Sequence, residues 1–262
     1  MQLALFTVYR SAVPPSGDLL GKRLLLVLGK GGVGRTTVAA ALALLSARRG
    51  RRTLLVQANG RDPLGELLGG PPVGTEITRI TEHLSAVSTN PDAALHEYGL
   101  MVLHYERIYR LVLENRVAKA LIRAIPGLDD YSIIGKLWWH TTERLSDGSL
   151  RWETVIFDAP ATGHALAMLD IPRAILEAVP EGPLTRDAAS VRQLLADPAR
   201  TAAVIVTIAE EMPVNEAIEL AEALANRAPV AQVIVNQLYP DRFPAGSVPA
   251  RVLAALERRG SS

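Results

Sequence analysis

The 262-residue sequence contains no cysteine. That absence excludes disulfides, thiolate metal sites, iron–sulfur ligation and thiol nucleophiles together. An excess of one charge is lacking too: 28 Lys and Arg oppose 27 Asp and Glu, for a formal net charge of +1. No bulk field draws the chain to nucleic acid or to anionic lipid, and nucleic acid is not expected as a partner. No apolar run approaches the roughly 18 residues of a membrane span, so no stable membrane insertion is expected. Residues 1–17 have no basic n-region and no clear cleavage site, so they do not read as a signal peptide. The cytoplasm is the expected compartment.

What is present suits a large buried core. Hydrophobic residues make up 48% of the chain. The length fits one large α/β domain, or a domain with an embedded subdomain. Pro14-Pro15-Ser16-Gly17 breaks local structure ahead of the first strand, so residues 1–20 read as an extension and 21–262 as a single domain.

The most informative stretch is Gly29-Lys30-Gly31-Gly32-Val33-Gly34-Arg35-Thr36-Thr37. It follows an apolar run, Leu24 to Leu28, and opens into an alanine-rich run, Val38 to Ala47. Strand, glycine loop and helix are the context that a phosphate-binding loop requires. Glycines let backbone N–H groups turn inward around phosphate oxygens, and the helix presents its positive end to them. Thr36 falls where a hydroxyl would ligand Mg²⁺. The usual pattern is G-x-x-x-x-G-K-[ST], and position 35 is arginine instead of lysine. The bland alternative, a glycine-rich turn with no ligand, would not bring the matching flanks.

Apolar segments at Lys22–Leu28, Thr53–Gln57, His83–Ser88, Thr154–Phe157, Thr201–Ile208 and Val230–Val235 alternate with helical patterns. This predicts a P-loop NTPase fold: a mostly parallel central sheet flanked by helices, with its ligand at the carboxyl ends of the strands. Between the third and fourth strands, helical spacing dominates about 92–146, broken at Pro126-Gly127. This block reads as an inserted helical subdomain. Tyr98, Met101, Tyr105, Ile108, Tyr109 and Val112 recur at helical spacing, as do Ile133, Ile134, Leu137 and Trp138. Such spacing favours packing within the core over an exposed groove. Lys136, Trp138 and Trp139 are expected on an ordinary amphipathic helix. The fourth strand ends in Asp158, where a carboxylate facing a P-loop would hold Mg²⁺. A new helix is expected from Asp170-Ile171-Pro172. Pro249 to Arg259 is expected to form a short amphipathic helix on the surface.

The early Lys30 marks a deviant form of the loop. With it, the chain resembles the ArsA-like ATPases of arsenite pumps and tail-anchored-protein targeting, over about residues 21–240. The resemblance implies ATP and Mg²⁺ as cofactors, and a dimer in which Lys30 reaches the partner's nucleotide and which handles a client protein. Asp158, Thr162-Gly163-His164 and Leu166 resemble that family's switch II, D-T-A-P-T-G-H-T-L. There Gly163 would let the loop move, and His164 would serve as ligand, base or cap, with a structural switch role preferred. The resemblance also sets Asn236, ending Val230–Val235, against the adenine edge. The resulting site is Lys30, Asn59 and Asp158 for catalysis, with Gly29 to Thr37 and Asn236 for nucleotide and Thr36 and Asp158 for metal.

Three departures shape the functional expectation. Without cysteine, an arsenite thiol triad and a dimer-bridging zinc are impossible. Arg35 keeps the charge of the loop lysine but is longer and planar. Asn59 stands where the family carries the switch I aspartate that orients the attacking water. An amide accepts a proton poorly, and losing one such contact typically costs about 10²–10³ in rate. Two readings follow. One is a working ATPase, slowed by these changes, whose cycle gates a dimer around a client. The other is a hydrolysis-impaired subunit that pairs with and regulates an active paralogue.

Overall fold

The computed structural model describes residues 18–58, 64–90, 128–239, 248–249 and 251–252. Continuous apolar runs form strands covered on both faces. β1 (Leu24–Gly29), β2 (Thr53–Ala58) and β5 (Thr154–Asp158) are buried at every position. The other strands are β3 (Thr78–Arg79), β4 (Leu84–Thr89), β6 (Thr201–Ile208) and β7 (Val230–Asn236). The order across the sheet is β3-β4-β2-β5-β1-β6-β7. Every pairing is parallel except β3 with β4. The sequence does not signal β3, because two residues carry no period.

The strands' side chains divide by alternation. Leu25, Val27, Leu55 and Ile156 join the core on the side of α1 (Arg35–Arg48) and α2 (Leu64–Leu68). Leu24, Leu26, Leu28, Val155 and Phe157 join the opposite core. That side is built with α3 (Leu128–Thr142), α4 (Thr162–Ala178), α5 (Pro183–Ala196) and α6 (Glu211–Leu224). The buried face of α1 is mostly alanine (Ala39, Ala40, Ala43, Ala47), so that helix lies close to the sheet. It stops at Gly50, whose φ of 77° favours a residue without Cβ.

Some sequence expectations need adjustment. Asp170-Ile171-Pro172 does not begin a helix; α4 runs unbroken from Thr162 with Pro172 inside it. Burial of Met168, Leu169, Ile171 and Ile175 outweighs the hydrogen bond that proline forfeits. Thr162-Gly163-His164 is thus the first turn of a helix and not a loop. α3 contains Lys136 at 1% exposure, alongside buried Tyr131, Ile133, Ile134 and Leu137. It is not the one-sided helix expected, because α4, α5 and β5 all pack against it; among its described large apolar side chains only Trp139, 38% exposed, faces out. Residues 18–20 of the expected extension pack against the domain, with Leu20 buried and Asp18 Oδ1 2.8 Å from Arg49 Nη1. The expected helix from Asp92 to Ile125, Asn59 with its neighbours to 63, and most of the C-terminal helix lie outside the described residues.

Candidate nucleotide site

β1 lies between β5 and β6, so chain order reverses about it. Its carboxyl end is the crevice where doubly wound sheets bind ligands. The loop leaves β1 at Gly29, whose φ is 150° and where a Cβ would stand 2.2 Å from the Val206 carbonyl oxygen. It enters α1 at Gly34, the N-cap, whose φ is 86°. A Cβ there would stand 2.3 Å from Asn236 Nδ2. Between these two fixed points, Lys30, Gly31, Gly32 and Val33 wrap ahead of the helix N-terminus.

Parallel register sets Val27 and Gln57 on either side of Asp158. Asp158 is 4% exposed. Thr36 Oγ1, in the first turn of α1, donates to its Oδ2 at 2.7 Å. Gln57 Nε2 donates to the same oxygen at 3.3 Å. The two residues expected to hold Mg²⁺ are therefore in direct contact.

The loop's two cations are both engaged within the chain. Arg35 Nη1 donates to the carbonyl oxygens of Ala159 and Pro160, just after Asp158. Lys30 Nζ pairs with Glu216 Oε1 of α6 at 2.7 Å, each side chain about a third exposed. Asn236, at the end of β7, donates from Nδ2 to the Val33 carbonyl at 2.9 Å. Gln237, at φ 57°, donates to the Gly32 carbonyl at 3.2 Å. His164 Nε2 lies 3.0 Å from Asp130 Oδ1 of α3, which ties the start of α4 to that helix.

The family profile described as "Anion-transporting ATPase" matches residues 22–181 and 183–251. The chain belongs to this family. ATPase BagA of Mycobacterium tuberculosis is 34% identical over 237 residues, spanning 88% of this chain and 69% of that protein. A putative arsenical pump-driving ATPase of Halobacterium salinarum is 28% identical over 240 residues, spanning 84% of this chain and 36% of that one. ATPase ASNA1 homolog 1 of Paramecium tetraurelia is 29% identical over 150 residues, spanning 56% of this chain and 43% of that one. The resemblance read from the loop and from the Asp158 segment thus holds along most of the chain. Nucleotide binding and ATPase chemistry belong to this anion-transporting ATPase family as a whole.

The geometry can be tested against the group the family implies. A cavity of about 610 Å³ opens over the loop, lined by Gly32, Gly34, Arg35, Thr36 and Thr37 with Glu66 and Leu67 of α2. Cβ positions at Gly31 and Gly32 would meet nothing within 4 Å, so the loop backbone faces open space. The Thr36 hydroxyl and Asp158 carboxylate are hard oxygen donors of the kind Mg²⁺ takes. Among the described residues no three His, Cys, Asp or Glu side chains converge on one point. An ion here would need further oxygen ligands, from water or phosphate, to complete its shell. These residues fit Mg²⁺ with a nucleotide phosphate chain.

Sequence reasoning missed Gln57, Gln237, Glu216 and Asp130. Gln57 carried a usable signal, a polar side chain near the carboxyl end of an apolar strand. Glu216 and Asp130 carried none, since their partners lie 186 and 34 residues away in the chain. No helix of the described residues is long and apolar enough to cross a membrane.

Proposed function

We propose that this chain binds ATP with Mg²⁺ and hydrolyses it. The observation that carries the reading is the 2.7 Å contact of Thr36 with Asp158 at the foot of a glycine loop that opens onto a cavity. The N–H groups of the loop and of the first turn of α1 would hold the β- and γ-phosphates. Thr36 and Asp158 would hold Mg²⁺, which when bound neutralises charge on the phosphate oxygens. Asn236, placed beside the loop, would meet the adenine edge with its carbonyl oxygen while its amide keeps Val33 in place. Asn59 would orient water without accepting its proton. In a dimer, Lys30 would leave Glu216 and reach the partner's nucleotide, so that the cycle opens and closes a surface for a client protein in the cytoplasm.

Arg35 favours a second reading. Its guanidinium donates to the Ala159 and Pro160 carbonyls. A subunit held in that arrangement would bind nucleotide, hydrolyse it poorly and regulate an active paralogue. Phosphate release by the purified chain, with binding of a fluorescent ATP analogue measured in parallel, separates the readings. The first expects turnover that Asp158→Asn lowers by about 10²–10³. The second expects binding without turnover, and recovery in the double variant Arg35→Lys, Asn59→Asp. A wild type that binds no nucleotide overturns both.

A further inference from the structure

Gln57 is 3% exposed, is the penultimate residue of β2 and lies in register with Asp158. A carboxylate only accepts hydrogen bonds, so the Gln57 amide must turn its nitrogen toward Asp158, as it does at 3.3 Å. Its carbonyl oxygen is then left buried, with no hydrogen-bond partner among the described residues. Buried acceptors are nearly always satisfied, and an ordered water is one donor that completes an exception. The neighbouring carboxyl edge shows the same feature. Thr89, ending β4 in register with Ala58, has a buried hydroxyl without a partner among the described residues, as does Thr162 at the start of α4. An apolar side chain at position 57 would cover the strand end equally well, so the amide is there for what it touches.

We propose that Gln57 is a positioning residue of the Mg²⁺–nucleotide site. Its amide N–H fixes the Asp158 carboxylate, and its carbonyl oxygen accepts a hydrogen bond from water beside the bound ion. The assignment rests on the Mg²⁺–ATP reading above and extends it to a residue outside the loop. Two consequences distinguish this role from a merely structural one. Removing the amide should weaken the metal's contribution to nucleotide binding and leave metal-free binding unchanged. It should also leave the folded protein without nucleotide as stable as before, since an unsatisfied buried oxygen is lost together with one hydrogen bond.

Gln57→Met keeps the shape and removes both polar atoms. The test follows a fluorescent ATP analogue binding to wild type and variant in EDTA and across a Mg²⁺ titration, with thermal unfolding of each without nucleotide. The Mg²⁺ concentration for half-maximal effect should rise about 10- to 100-fold in the variant, the usual cost of losing a partner that orients a metal ligand. Affinity in EDTA and the unfolding midpoint should not move. Gln57→Asn, which keeps the amide but withdraws it by one methylene, should shift the Mg²⁺ dependence the same way and serves as the variant if Gln57→Met does not fold. An unchanged Mg²⁺ dependence in a folded variant overturns the assignment alone. Equal weakening with and without Mg²⁺ overturns it as well. Failure of the wild type to bind nucleotide overturns the Mg²⁺–ATP reading, and this assignment with it.

Discussion

At Gly34 two constraints meet in one residue. The backbone is left-handed, and the space a Cβ needs is taken by the Asn236 amide 2.3 Å away. Gly31, three residues earlier, has neither constraint. Gly34→Ala is therefore expected to destabilise the fold by roughly 1–3 kcal/mol, and Gly31→Ala by almost nothing. Urea unfolding of the two variants side by side checks this, and equal losses would refute it. Arg35 is the other residue whose role was only half visible. Its charge could be read from the sequence, but its engagement with the Ala159 and Pro160 carbonyls could not. Hydrogen bonds from a charged donor to backbone hold the chain after Asp158 in place. Arg35→Ala should lower stability without nucleotide by about 1–2 kcal/mol. The difference in urea midpoints between that variant and the wild type measures it.

At the scale of elements, the junction after α3 is pinned by charge. Glu143 accepts from Arg151 Nη1 at 2.6 Å and lies 3.2 Å from His140 Nδ1. Arg151 also lies over the Trp152 ring, 5.2 Å from its centroid. Burial would raise the Glu143 carboxyl, but the hydrogen bonds from His140 and Arg151 outweigh it and hold it below its ordinary 4.5. A carboxylate depressed in the folded state stabilises the fold above its unfolded value. That contribution is lost as pH falls through the folded value. Glu143→Gln should then cost roughly 1–2 kcal/mol at pH 7. The gap from wild type should narrow as the pH drops below 4.5, the ordinary value. Denaturant titrations at several pH values test the sign, and a gap that widens in acid would contradict it. Nearby, the Arg23 guanidinium donates to the Trp152 and Glu153 carbonyls at 2.6 and 2.7 Å. Burial first, then the charges of Arg200 and Arg51, bring it down to about 10. At α4, Asp170 takes a two-pronged contact from Arg227 at 2.8 and 2.7 Å, two residues before the internal proline.

For the whole molecule, the pairing of Lys30 with Glu216 matters most. Both side chains are partly exposed, and such pairs contribute about 0–1 kcal/mol. Breaking the pair costs little, so it would oppose only weakly the contact with a second copy of the chain proposed for Lys30. Under the proposed dimeric cycle, Lys30→Ala should leave unfolding of the isolated chain nearly unchanged while removing Mg²⁺–ATP-dependent dimerisation and turnover. Light scattering after size exclusion, with and without nucleotide, reads the first effect and phosphate release reads the second. A variant that still dimerises and turns over would remove Lys30 from the mechanism.

The sequence by itself determined the nature of this protein. Continuous apolar strands required a sheet covered on both faces, and glycines at 29 and 34 required a loop of one shape between strand and helix. Loop, strand and the Asp158 segment carry those constraints locally, so they were legible and agree with family membership. Tertiary structure decided what local pattern cannot encode. Parallel register set Gln57 beside Asp158, and the glycine loop delivered Thr36 of α1 to the same carboxylate oxygen. Packing on several sides buried Lys136 and carried α4 through Pro172. Folding also set Lys30 against Glu216 and Arg35 against the backbone after Asp158. These partners are separated by more than a hundred residues in the chain, and only the order of strands in the sheet makes them neighbours.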